Sequence, residues 1–153
     1  MRGGNPVNDR EIAAKVHSSM YHQCQKRGYA TAVDVLMDLD ILKKKHYEDW
    51  RHGRAPYLER VCTVNLSKLT TILHEMRVYA GKANLKPSFC FYKQWAVKKK
   101  GVQGKNPVIP LRFSKSGKAD IERQYATHFV DATRIAQLKE LANSAKRKEK
   151  KAE

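Results

Sequence analysis

The run Ser114-Lys115-Ser116-Gly117-Lys118 is the stretch of this chain whose residue types best suit an anion. Small residues ahead of a helix start offer backbone N–H groups to a phosphate, and Lys115 and Lys118 add charge. It is not a P-loop: the first glycine of G-x-x-x-x-G-K-[ST] is missing and no Ser or Thr follows Lys118. The reading is a contact for one phosphate of a nucleic-acid backbone, with an ordinary solvated turn as its alternative.

Residues that could run a reaction are thinner on the ground. His46, Glu48, Asp49 and His52 are close in sequence, yet they form neither H-E-x-x-H nor a histidine pair at i and i+4. A metal-dependent nuclease needs two or three carboxylates around Mg²⁺, and the spacing of Glu48, Asp49, Glu59, Glu75, Asp120 and Glu122 gives no reason for them to converge. His128, between Thr127 and Phe129, reads as a packed or capping residue rather than a general base. Cys24, Cys62 and Cys90 match no C-x-x-C pattern and are odd in number, so they read as reduced, buried thiols. No catalytic residue, metal ligand or cofactor is assigned.

Binding chemistry is concentrated instead. From Arg77 to Lys118 the chain has eleven Lys or Arg and no Asp or Glu, so this window supplies +11 of the net +16. Tyr79, Phe89, Phe91, Tyr92, Trp95 and Phe113 fall in the same window. Cations interleaved with flat rings suit a polyanion with stackable bases. Tyr92 and Trp95 are base-stacking candidates whose alternative is core packing. Within the window the nucleic-acid contacts are Lys93, Trp95, Lys98, Lys99, Lys100, Lys105, Arg112, Lys115 and Lys118.

These residues need elements to hold them. Asn8 or Asp9 caps a helix with Ile12, Val16, Met20 and Cys24 at fourfold spacing, which stops at Gly28 behind the basic Lys26-Arg27. Thr31 opens a crowded apolar segment over 32–42, with Asp34, Asp38 and Asp40 on its wet side. A further helix, 43–52, is anchored by Tyr47 and Trp50 and stopped by Gly53 and Pro56. The two short helices resemble a helix-turn-helix that would present Lys43, Lys44, Lys45, Arg51 and Arg54 to a duplex. Against it stand the absence of glycine at Asp40 and the acids Glu48 and Asp49; an ordinary helical hairpin is the alternative.

From Pro56 the pattern Leu58, Cys62, Leu66, Leu69, Leu73, Met76, Ala80, Ala83 predicts a central core helix, in one piece or broken near 63–65, ending by Asn84. Ser88 then caps a helix carrying Phe89, Tyr92, Trp95 and Ala96, closed by Lys98-Lys99-Lys100 and Gly101, although the alternation of Phe89 and Phe91 equally permits a strand. Residues 101–110 form a basic loop and 110–113 a short strand. Asp120 opens a helix through Ile121, Tyr125 and Phe129, and Asp131 a last one through Ile135, Leu138 and Leu141. Lys146 onward has no apolar partner and is expected to fray.

The expectation is a mainly α, single compact domain of about six helices with a small β element near 110–113: a mobile 1–8, a helical nucleic-acid-binding domain over 9–145 and a basic disordered tail over 146–153. Its function is nucleic-acid binding, duplex DNA favoured over RNA because the pattern lacks the sheet of RNA-binding modules. RNA binding, nucleic-acid processing and docking of an acidic protein are the alternatives. With no apolar run near 18 residues nothing spans a bilayer, and with no apolar segment near Met1 to serve as a secretory signal the reading places the chain in the cytoplasm.

Overall fold

The computed structural model describes residues 8–95 and 108–152. Lys98, Lys99, Lys100 and Lys105 lie outside these residues, as do residues 1–7 and most of the 101–110 loop. Among the described residues, six α-helices and a three-stranded antiparallel sheet surround one hydrophobic core, a mainly α fold. No described helix is long and apolar enough to cross a membrane.

Helix α1, Asp9–Arg27, begins where the Asn8 side chain accepts the Glu11 N–H, and ends at Gly28 with φ +87°. That left-handed turn requires glycine for a second reason: a Cβ there would collide with Ile135. Its fourfold apolar row, Ile12, Val16, Met20 and Cys24, is buried, and α1 packs against α4 (Leu66–Lys82) through Leu69, Ile72, Leu73, Met76 and Ala80. The break before α4 falls where sequence allowed it, with the Asn65 side chain accepting the Lys68 N–H and only a 3₁₀ turn, Leu58–Val61, upstream.

After β1, Tyr29–Ala30, helix α2 runs Ala32–Asp38, shorter than the expected 32–42. Asp40 ends it in the left-handed region, φ +62°, so the chain turns there without glycine, as a short polar Asp tolerates. Ile41 and Leu42 are buried beyond the turn, and α3, Lys44–Arg51, follows with Trp50 fully buried. Asp34 is not a simple wet-side residue. It receives Arg27 Nη2 at 2.7 Å and Thr31 Oγ1 at 2.8 Å, while Gln23 Oε1 takes the buried Thr31 N–H at 2.9 Å. This network ties α2 to α1 and satisfies polar groups that burial would otherwise penalise.

The largest differences from expectation lie after Asn84. The helix expected from Ser88 is not formed over the described residues 88–95: Lys86–Phe89 is strand β2, paired antiparallel with β3, Thr127–Val130, and the expected basic end at 98–100 lies outside the described residues. Phe129 therefore belongs to a strand, and the helix before it, α5, stops at Ala126. The sheet order is β1-β3-β2, leaving β2 at an edge. Tertiary pairing overrides the local helix signals here, because the β-branched and aromatic run Thr127-His128-Phe129-Val130 offers both neighbours a ladder that a lone helical turn cannot match. The expected β element at 110–113 is only a single bridge, Pro110 to Lys93, while the sheet itself lies elsewhere. The last helix, α6, starts after Asp131, whose side chain accepts the Arg134 N–H, and continues through Ala152 rather than fraying at 146. Its far end is exposed and made of strong helix formers, with an Arg147–Glu140 pair at 2.9 Å.

Candidate nucleic-acid interface

In the 113–118 loop the backbone N–H groups of Phe113, Ser114, Lys115, Gly117 and Lys118 are already satisfied. Glu122 of α5, Ala119–Ala126, accepts Phe113 N–H at 2.9 Å, Ser114 N–H at 2.7 Å and Ser114 Oγ–H at 2.5 Å. Glu59 Oε1 accepts Lys115 N–H at 2.9 Å, and Gly117 N–H and Lys118 N–H go to the hydroxyls of Ser114 and Ser116. Two carboxylates of the protein occupy the position a phosphate would take, so the loop is an internally clasped turn. Lys115 and Lys118 remain exposed and can reach an anion as side chains. The same clasp fixes Tyr125, whose O–H donates to Glu59 at 2.8 Å and whose ring stacks on Phe113. Burial first, then that bond to Glu59, pushes the Tyr125 hydroxyl far above the ordinary tyrosine range.

Arg112 is partly committed to the same turn. Its guanidinium donates to Ser114 O and Lys115 O and lies 5.6 Å from the centre of the Tyr57 ring. Its carbonyl accepts the Trp50 indole N–H at 2.8 Å, which joins α3 to this segment.

The helix-turn-helix candidates separate into two groups. Lys43, Lys44 and Lys45 are exposed, Lys43 pairing with Asp40 at 2.7 Å. Arg54 pairs with Asp49 at 3.1 Å. Arg51 points the other way: its guanidinium lies 4.9 Å from the Trp95 ring centre and 5.4 Å from that of Tyr92, and its buried Nε has no hydrogen-bond partner among the described residues. The residue best suited to read a guanine edge is thus held among rings rather than displayed on α3.

Tyr92 is core, as its alternative reading had it. Its ring packs on Trp50 and Phe113, and its O–H meets His128 Nε2 at 2.8 Å. His128 is stacked on Tyr29 in the sheet, and burial, helped by the Arg27 charge, lowers its pKa. It is a packed histidine, not one presented to a ligand. Cys24 is buried, and burial pushes its thiol up to about 11; the half-buried Cys62 is pushed up to about 12 by the same cause. Among the described residues, no group of three His, Cys, Asp or Glu side chains stands where it could hold a metal ion.

What sequence reasoning missed is the outer face of 89–95. Burial alternates residue by residue, with Phe89, Phe91, Lys93 and Trp95 exposed and Cys90, Tyr92 and Gln94 turned inward. Lys93 bridges Pro110, Gln94 N–H donates to Ile109 O at 2.7 Å, and Leu111 N–H donates to Tyr92 O at 3.0 Å, so the segment stays extended beyond β2. Phe89 and Phe91 are 60% and 67% exposed and Trp95 37%. Arg123 of α5 lies over Phe89 at 4.6 Å and also lines an apolar cleft of about 540 Å³ between α4, α5 and the sheet, with Arg77 on its opposite wall. The period-two alternation that signals this face was visible in sequence; the capping serine and the basic stop drew the reading to a helix.

The charges around this face are left open. All ion pairs among the described residues lie outside the 77–118 window, while Lys82, Lys86, Lys93, Lys115 and Lys118 are exposed. Arg77 donates to Leu73 O and to Gln124 Oε1, neutral acceptors that leave its charge uncompensated. No protein-family model, curated protein or solved structure matches the chain.

Proposed function

We propose that this chain binds nucleic acid, with the 77–118 window as its contact surface. The observation that carries the reading is the charge left unanswered there: eleven cations and no carboxylate in sequence, and no ion pair to any of those described in space. A fold gains nothing from concentrating like charge, which repels itself, unless a polyanion neutralises it. Of the acids beside the window, Glu59 and Glu122 are engaged by backbone N–H groups, and Asp120 lines a cleft with Arg77, Lys115 and Lys118 without pairing with any of them. Lys44 and Lys45 on α3 form a second basic patch that would touch backbone phosphates. With Arg51 withdrawn among rings, such a contact contributes affinity without reading sequence.

Counterion release supplies the test. If about six cations meet B-DNA phosphates, the logarithm of the binding constant falls against the logarithm of salt with a slope of about −5. Duplex DNA, single strands and structured RNA are titrated across a salt series. A slope shallower than about −2 on all three removes the reading, and the surface then belongs to another acidic partner.

A further inference from the structure

The outer face of 89–95 bears on which nucleic acid is bound, an inference that rests on the nucleic-acid reading above. We propose that the ligand is a single strand, its bases stacked on Phe89 and Phe91 with Trp95 at the end of the row, and its phosphates on Lys93 and Arg123.

Phe89 and Phe91 are the most exposed phenylalanine, tyrosine or tryptophan rings among the described residues, where Trp50 and Tyr125 are fully buried, and rings so exposed need a reason. They are not stray: both stand on one side of an extended segment at i and i+2, about 6.6 Å apart at the rise of a strand. Bases already stacked within a duplex cannot use such a row, because each ring must lie against an exposed base face. An unpaired strand can offer one base per ring, and because every base has a π-face the row tolerates any sequence. Charge complementarity points the same way. Lys93 stands between Phe91 and Trp95 on the exposed side, and Arg123 covers one side of Phe89 while leaving the ring open. β2 is moreover an edge strand, so no neighbouring strand covers its outer side. The sheet that the sequence did not disclose supplies the setting in which single-strand binders place their aromatics.

The experiment uses the whole chain and four probes across a salt series, with affinities compared at its low end: oligo-dT, oligo-U, and DNA and RNA duplexes of matched length. Phe89→Ala/Phe91→Ala is expected to weaken oligo-dT and oligo-U by at least about 30-fold, the loss of two stacked bases, while duplex binding changes less than about threefold. Since no charge is removed, the salt slope stays as in the wild type. Phe89→Tyr/Phe91→Tyr keeps the rings and restores single-strand affinity, which separates stacking from a fault in folding. The relative affinity for oligo-dT and oligo-U assigns the source as DNA or RNA. Single-strand binding untouched by the Ala pair, or duplex binding lost equally, overturns the inference. If Lys86→Gln/Lys93→Gln still weakens every probe, the nucleic-acid reading survives that failure. If the wild type binds none of the four, both fall together.

Discussion

Between Asp9 and Glu75 the cations are repeatedly answered from within: Arg27 by Asp34, Lys43 by Asp40, Arg54 by Asp49, Lys68 by Asp9, and His17 set against Glu75 at 3.1 Å. From Arg77 to Lys118 the described cations have no such partners: Glu59 and Glu122 hold backbone N–H groups instead, and Asp120 lines a cleft with Arg77, Lys115 and Lys118 without pairing. The first region is a scaffold that pairs several of its cations in place, Lys44 and Lys45 being among the exceptions; the second is carried on that scaffold with its described cations unpaired. The join between them is specific. Trp50 reaches Arg112 O, Arg51 lies among Tyr92 and Trp95, and Glu59 grips Lys115 N–H and Tyr125 O–H. The first half thus positions a second half whose described cations are without ion pairs.

The comparison breaks most visibly at that join. Trp50→Ala removes a fully buried ring and one of the two donors to the Arg112 carbonyl, which keeps Leu58 N–H, and is expected to cost about 3–5 kcal/mol in denaturant unfolding. A cost under about 1 kcal/mol would mean the two regions are not held through α3. Glu122→Ala strips the acceptor from two backbone N–H groups and is expected to cost about 1–3 kcal/mol. The same change removes a negative charge beside Lys115 and Lys118, so nucleic-acid affinity should rise while stability falls. Affinity that falls along with stability would show that the clasped geometry of the turn, not its charge, serves binding.

Arg51→Ala sharpens the assignment of α3. Held among rings, the side chain is worth about 1 kcal/mol to the fold, and its loss should leave preference among duplex sequences unchanged. If preference collapses with stability intact, Arg51 reads base edges and the α2–α3 pair is the recognition surface. The smallest effect concerns His128. Its folded pKa lies below the ordinary 6.5, so its contribution to stability is complete above 6.5 and is lost as pH falls from there through the lower folded value. His128→Gln keeps a hydrogen-bonding group beside the Tyr92 hydroxyl and should flatten the decline in unfolding midpoint between about pH 7.5 and pH 5. An unchanged decline would place the titrating group elsewhere.

How far the chain could be read from sequence follows the same division. Where local signals and tertiary packing agree, as in α1 with Asn8 and Gly28, or α4 with its Asn65 cap and its apolar row, caps and cores were legible to within a residue or two. After Asn84 they disagree. Ser88 and the basic run ahead of Gly101 are sound helix signals, yet strand pairing with residues 127–130, far away in sequence, decides the outcome. Phe129 went astray for the same reason, since fourfold spacing from Tyr125 fits a helix until β1 and β2 compete for the segment. Charge was legible because it needs no fold: the excess in 77–118 is a count. Its availability was not, because only distances show that Glu122 and Glu59 face the backbone and that Arg51 turns inward.

The central claim is that the cations of the window, and not basic residues in general, meet the polyanion. It is tested by comparing salt slopes for two charge-matched variants: Lys82, Lys86, Lys93, Lys115 and Lys118 all changed to Gln, and Arg10, Lys15, Lys26, Arg60 and Lys139 all changed to Gln, every one of them exposed. Each lost duplex phosphate contact flattens the slope by about 0.9, and each lost single-strand contact by about 0.7. The window variant is expected to lose most of the slope and most of the affinity, and the other to stay close to the wild type. Equal losses in both variants would contradict the account, since the protein would then attract nucleic acid by net charge alone.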